Sequence, residues 1–410
     1  MRLIATLIPH DTLHLSDGRP FNQDDLGVSQ ADTLFPPLPS QLASCLRVCI
    51  AELLGAKSPS ISRWNASTFC TAVPGLEHLS VESLIGDGPD DLGLLSFRRL
   101  WLVDGRGHMF LSAPMTIRHR EDKHPSAYID LVIPPKQNEE SRYQSDLGDS
   151  DQFFSFPVET KHRDNYWLHE KTFAEVLNNA EPSIERTSLM QGDSFFAKES
   201  YIGLGLDANK TNIPGQLYAL DHLRACEDAN ARPCGYALEI EVAGESSEAH
   251  AMVDFLNTRR TIGTLGGRGR SVNVTFRSEA SNRTSWEIPD CFPCSRRLYA
   301  MTPFHVTGAT IPRIRNRLAF LQCEGVELLS AAMSRANRFS TWDATSSGRT
   351  AWSWIAPAGA VFECRIADPE AWSRLSNRLH ECGLNMTNPA SAALQRKLGF
   401  GAVEIGAAKC

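Results

Sequence analysis

YALEIEVAGESSEAHAMVDFLNTRRTIGTLGGRGRSVNVTF, residues 236–276, carries four structural signals in succession. Tyr236, Leu238, Ile240 and Val242 recur at every second position, the spacing of a strand. Residues 249–260 place Met252, Val253 and Leu256 on one face of a helix. Gly263, Gly266, Gly267 and Gly269 then punctuate a turn, and 272–276 alternates again as a strand. The order is strand, helix, glycine loop, strand.

That order recurs about 125 residues later. Residues 360–366 (AVFECRI) read as a strand and 369–382 as a helix with Pro369 in its first turn. Leu398-Gly399-Phe400-Gly401 makes a glycine turn, and 402–405 a closing strand. No sequence identity links the two copies; the order of elements does, which suggests duplication.

Each copy needs a preceding strand and helix. In the first, the apolar run 3–8 closed by Pro9 reads as a buried strand. A loop with Asp17-Gly18-Arg19-Pro20-Phe21 follows, then Phe35-Pro36-Pro37-Leu38-Pro39, where the prolines impose an extended approach. Ser40 is placed to cap a helix whose apolar positions Leu42, Leu46, Ile50 and Leu53 end at Gly55. In the second copy, 298–306 is assigned as strand and 327–338 as helix. The expected class is therefore α+β, with two ferredoxin-like (RRM-like) βαββαβ halves. Their expected spans are 1–285, with a long insertion at about 113–235, and 286–410. Inside the insertion, 138–152 has five acids and almost no apolar residue, so mobility is expected there. Residues 203–218 read as strand, turn, strand, with Lys210 and Thr211 at the turn.

At 410 residues the chain is long enough for two cores. Its 42% hydrophobic and 22% charged content fits a globular protein rather than a disordered or membrane-embedded one. The net charge of −7 excludes a uniformly cationic surface, so any nucleic-acid contact must sit in local basic loops. MRLIATLIPHD is too short an apolar run for a signal peptide or membrane span, and a cytoplasmic location is expected. The eleven cysteines read as reduced thiols. Cys291 and Cys294 form a single CxxC without a second ligand pair, so no metal and no cofactor is expected.

Arg259, Arg260, Arg268 and Arg270 place four cations within twelve residues that include no acid. Gly266, Gly267 and Gly269 beside them lack Cβ atoms and admit a phosphate close to the backbone. A tight turn with solvated arginines is the competing reading. Arg296, Arg297, Arg313, Arg315 and Arg317, with Tyr299, Phe304 and His305, read either as a track for RNA or as a solvated face. Gly399-Phe400-Gly401-Ala402-Val403 is similar to part of the RNA-recognition-motif signature, but Ala402 and Ile405 stand where stacking aromatics belong, so it is assigned as a turn. His10, His14, His119 and His124 are the candidates for acid–base chemistry, with no partner geometry evident. A GxxxxGK[ST] phosphate loop is absent.

DGRPF at 17–21, LFPPLPSQL at 34–42 running into CLRVCI, GLD-x-x-K-T at 205–211 with GQLY, and APAGAVFECRI at 356–366 together resemble one family. It is the third subunit of the Cmr complex, the type III-B CRISPR effector of antiviral defence, within the RAMP superfamily. The resemblance implies paired ferredoxin-like domains that grip the repeat-derived 5′ handle of a CRISPR RNA without catalysis. It also implies a position between the large polymerase-like subunit and the backbone RAMP subunits, with target RNA met indirectly. Gln41-Leu42-Ala43-Ser44 departs from the family's usual Thr-Leu-x-Gly. Holding a single strand needs cations, open backbone amides and stacking planes. Candidate contacts are Arg19 and Phe21, Lys210 and Thr211, and the glycine-loop residues Arg259, Arg260, Gly266, Gly267, Arg268, Gly269 and Arg270. Arg19 could equally pair with Asp17, and Phe21 could anchor its loop. The alternative function is a metal-independent CRISPR precursor endoribonuclease, because a related RAMP branch cleaves with histidine.

Overall fold

The computed structural model describes residues 1–16, 29–56, 69–120 except 89, 128–130, 160–161, 165–178, 188–206, 209–279 except 245, 286, 288–307, 320–340, 342–343, 348–349 and 351–407. The first strand, Arg2–Pro9, is apolar on both faces, and this decides its place in the fold. It pairs antiparallel with Ser271–Glu279 on one side and Gly235–Val242 on the other, Leu3 lying opposite both Ser278 and Ile240. Leu3, Ala5 and Leu7 join one core while Ile4 joins another. A central strand covered on both sides has no use for polar alternation.

Around it an eight-stranded sheet runs in the order Arg260–Thr264, Ser271–Glu279, Arg2–Pro9, Gly235–Val242, Leu95–Val103, Met109–Ser112, Tyr166–His169, Leu189–Gln191. Two helices cover one face. Pro39–Leu54 buries Leu42, Leu46 and Ile50, and Ser247–Leu256 buries Met252, Val253 and Leu256. Each such side chain contributes about 1.5–3 kcal/mol on leaving water. The first helix starts at Pro39, not after Ser40: Leu38 holds the cap position, and its N–H is satisfied by Gln41 Oε1 at 2.9 Å. Gly55, at φ 118°, ends it as the sequence predicts.

A second antiparallel sheet runs Val326–Ala332, Val361–Ile366, Cys294–Ala300, Val403–Ala407. Helix Pro369–Cys382 covers it with Trp372, Leu375 and Leu379. The two sheets meet face to face, Ile4, Trp101 and Ala237 packing with Tyr299, Val361 and Ala402. Arg99 crosses this seam to Glu404 and lies 3.7 Å from Glu239. Helix Pro389–Lys397 adds a second junction, where buried Arg396 reaches the Phe97 carbonyl at 3.5 Å.

Two smaller sheets matter for the site. One is a long hairpin, Phe196–Leu206 with Asn212–Ala225, joined in parallel by Ser29–Ala31. The strand, turn, strand reading of 203–218 is therefore met. The other runs Phe304–Val306, Ser353–Ala356, Asn337–Phe339.

The helix expected at 327–338 is instead the strand Val326–Ala332 followed by Asn337–Phe339. A register shift between Leu328 and Ser330 breaks the alternation and mimics a helical spacing. The strand expected at 298–306 is split at Pro303, which cannot donate to a ladder, so its two parts enter different sheets. Residues 138–152 lie outside the described residues. Among those described, no helix is long and apolar enough to cross a membrane.

Candidate nucleic-acid interface

The stretch assigned as a glycine loop is the end of a hairpin. Arg260–Thr264 pairs with Ser271–Glu279, Thr264 opposite Ser271, and residues 265–270 connect them. Gly263 and Thr264 thus belong to a strand, a correction to the sequence reading. Along that edge strand Arg260, Ile262 and Thr264 all face solvent. Leu265 is buried and anchors the loop.

The glycines divide into two kinds. Gly266, at φ 78°, abuts the backbone of His14, whose carbonyl a Cβ would strike. Gly267 donates its N–H to that same carbonyl at 2.9 Å. Gly269, at φ 66°, has open space where a Cβ would lie. Gly266 therefore seats the hairpin on the segment after the first strand, and Gly269 leaves the loop's outer side clear.

The arginines also separate. Arg259 places its guanidinium 4.4 Å over the Phe255 ring and donates to the Phe255 carbonyl at 3.1 Å, which closes the preceding helix. Arg260 stands exposed. Arg268 lies in the short turn Gly267–Gly269. Arg270 pairs with Asp11, an acid far away in sequence, so the cluster is not free of carboxylates as it reads linearly. A hydrogen bond from the Thr12 backbone and the nearby Arg270 charge hold the Asp11 carboxyl below its usual range.

Beneath the hairpin lies a layer of rings and polar groups. The His14 ring sits 5.6 Å from that of His222, and Tyr201 sits 4.6 Å from His222. His14 Nδ1 is 2.8 Å from the Asp221 backbone carbonyl, which can only accept, so Nδ1 carries a proton. Thr12 Oγ1 and His222 Nδ1 share a hydrogen bond of 3.0 Å. The buried Asp221 carboxylate accepts from Ser200 at 2.5 Å and pairs with Lys198 at 2.7 Å. That hydrogen bond holds the Lys198 ammonium above its usual range. Arg224 and Glu199 form an exposed pair beside it.

Arg19 and Phe21 fall outside the described residues. Ser16 and Thr33 form a bridge, and Leu15 and Leu34 join through a 2.7 Å backbone bond. Residues 15–16 and 33–34 are thus paired just after His14. Lys210 and Thr211 are exposed in the turn of the long hairpin, with Lys210 at φ 62°. They are not brought to the glycine hairpin: Leu206 is six residues along the strand from Ser200, about 20 Å at some 3.3 Å per residue.

The third basic stretch is corrected. Arg297 is buried beside Glu363 at 3.5 Å, and Tyr299, Phe304 and His305 are core residues, so these positions track no ligand. Arg313, Arg315 and Arg317 lie outside the described residues. Residues 399–401 form the expected turn, and Phe400 is buried against the His305 ring at 4.7 Å. His10 Nε2 is 2.9 Å from Asn273 Oδ1, while the side chain of His119 and all of His124 lie outside the described residues. Among the described residues no three His, Cys, Asp or Glu side chains gather as a metal would need. Sequence reasoning missed Asp11, Lys198, Tyr201, Asp221 and His222. The one signal available was a polar Asp221-His222 pair inside the otherwise apolar run 217–223.

These elements define an α+β protein of antiparallel sheets that displays a glycine hairpin with exposed arginines at one edge. The model of a CRISPR-associated protein family, Cas_Cmr3, matches residues 5–408, and the chain belongs to that family. Among solved structures it is similar to a chain of the type III-B Cmr-beta complex bound to cognate target RNA, at 11% identity and TM-score 0.48, covering 98% of this chain and 96% of that one. A second structure of that complex, with target RNA and AMPPnP, gives 12% identity and TM-score 0.49, covering 98% and 95%. A chain of the Csm3–Csm4 subcomplex of the type III-A interference complex gives 10% identity and TM-score 0.34, covering 90% and 94%. No curated protein matches.

Proposed function

We propose that this chain, the Cmr3 subunit of a type III-B CRISPR effector, is a non-catalytic RNA-binding subunit that holds the repeat-derived 5′ handle of the CRISPR RNA. In this reading it bridges the large polymerase-like subunit to the backbone RAMP filament and meets target RNA only through the complex. The observation that carries it is the seating of the glycine hairpin on His14. That contact holds the loop with Arg270 and the open side of Gly269 against the segment after the first strand, and Arg19 and Phe21 belong to the same site in this reading. Cations, bare amides and stacking rings are what a splayed single strand needs.

Two ferredoxin-like halves, 1–285 and 286–410, suit the strand orders. Taken in chain sequence, the core strands of each sheet stand fourth, first, third, second, the antiparallel arrangement of a βαββαβ unit. The insertion at about 113–235 then extends the first sheet and supplies the long hairpin. The non-catalytic reading is supported by family membership and by His14, whose Nδ1 is tied to the Asp221 backbone carbonyl.

The test is to purify the assembled complex, extract its nucleic acid and sequence the RNA ends. A constant 5′ segment followed by variable sequence is expected, together with weaker retention when Arg268 and Arg270 are both Ala. Cleavage of a repeat RNA by the isolated chain, lost in His14→Ala, would replace this reading with the endoribonuclease. A complex without RNA would leave an assembly adaptor.

A further inference from the structure

Arg338 and Trp354 stand directly opposite one another in the ladder between Asn337–Phe339 and Ser353–Ala356. Trp352, two residues before Trp354, falls on the same side. The Arg338 guanidinium lies 5.5 Å from the Trp354 ring centroid and 5.9 Å from that of Trp352, within cation–π range. Trp352 is 44% exposed, and Arg338 makes no ion pair among the described residues. A large indole left half in water beside an uncompensated cation is not what a core or a plain solvated face produces.

The ladder borders a groove of about 590 Å³ whose other walls are Asp32, Leu34, Lys198 and Phe339. Lys198 leads back to the hairpin. It pairs with Asp221, whose carbonyl takes the His14 ring proton, and the His14 carbonyl takes the Gly267 N–H. A chain of bonds through the buried Asp221 thus links the glycine hairpin, in the first sheet, to Lys198 in the groove that Trp352 lines.

We propose that Arg338, Trp352 and Trp354 form a base-stacking platform for single-stranded RNA, receiving a nucleotide further along the strand that the glycine hairpin holds. This rests on the RNA-binding reading above and adds a second station to it. Every base has a π face, so a half-exposed indole takes any of them, and a guanidinium already stacked on tryptophan is oriented to meet the adjoining phosphate. A protein hot spot would instead favour a desolvated apolar pocket; this groove has Asp32, Thr33, Asn337 and Lys198 along its walls.

The experiment uses the full-length chain and 5-iodouridine-substituted oligouridine strands of about twenty nucleotides, longer than one aromatic groove occupies. Trp352→Ala and Arg338→Ala should each weaken binding about fivefold or more, the loss of one stacked base. Trp352→Phe should restore most of it, and photocrosslinks should map to the peptide containing Trp352. Both sites are exposed, so melting temperatures should match the parent chain. Unchanged affinity in both Ala variants overturns the platform. So does unchanged affinity combined with failure of Trp352→Ala to join the other subunits, which would make the surface a protein contact. Arg270→Ala is the separate arm: if it leaves affinity intact while Trp352→Ala lowers it, the hairpin reading fails and the platform stands.

Discussion

The guanidinium of Arg270 pairs with the carboxylate of Asp11 across 259 positions of chain, at the lip of the glycine hairpin. Asp11 is half exposed, so the pair is screened and contributes under about 1 kcal/mol to stability. Its larger effect is on what Arg270 can bind, since the acid competes with a phosphate for the same donors. Arg270→Ala should leave unfolding nearly unchanged and flatten the slope of log affinity against log salt by about 0.7 for the one lost single-strand phosphate contact. Asp11→Asn should act in the opposite direction and tighten RNA binding. Salt titrations of both variants measure this.

Gly266 and Gly269 both have positive φ, yet their substitutions should differ. Gly269→Ala meets open space and should cost about 1–2 kcal/mol, the penalty of the left-handed region alone. Gly266→Ala adds a collision with the His14 backbone, which cannot swing away as a side chain would. It should cost more than about 2 kcal/mol and loosen the hairpin. Urea unfolding, with hydrogen exchange at Gly267, separates the two.

Burial pushes the His305 imidazole down to about 4. The unfolded chain takes up this proton near pH 6.5 and the folded chain does not, so stability rises with pH between about 4 and 6.5 and falls as the solution is acidified through that window. The full span is on the order of 3 kcal/mol. His305→Gln should flatten the pH dependence of the urea midpoint across this interval.

Arg99 serves two carboxylates at the seam between the sheets. Arg99→Met should destabilise the chain by about 2–4 kcal/mol, because Glu404 would remain largely buried without its cation, whereas Glu239 keeps Arg2 at 2.6 Å. The double variant with Glu404→Gln should recover part of the loss, which thermal melts can read.

The parts of the fold that the sequence discloses are those written locally. Helix Pro369–Cys382 is read to the residue because Asp368 caps it, Pro369 opens it and Gly383 follows it. The strand Val326–Ala332 is misread because one extra residue at its bulge disguises a period of two. Helix Pro389–Lys397 escapes although Asn388 caps it and Pro389 opens it, because its nine residues bury only Ala392 and Arg396 and so show no apolar stripe. The glycine hairpin is legible as a cationic turn, but its seat is not. Asp11 meets Arg270 across 259 positions and Asp221 meets His14 across 207, and no local pattern encodes either meeting.

The first strand has a cost in time as well as a place in space. Arg2–Pro9 is made well before either neighbour, since one ladder partner begins at Gly235 and the other at Ser271. At about 5–20 residues per second, translation needs on the order of 10–50 s to deliver the first of them. Throughout that interval a strand greasy on both sides waits without either neighbour. Such long-range closure is slow and leaves the nascent chain open to aggregation. A chaperone that binds this strand during synthesis would shield it until Gly235–Val242 arrives.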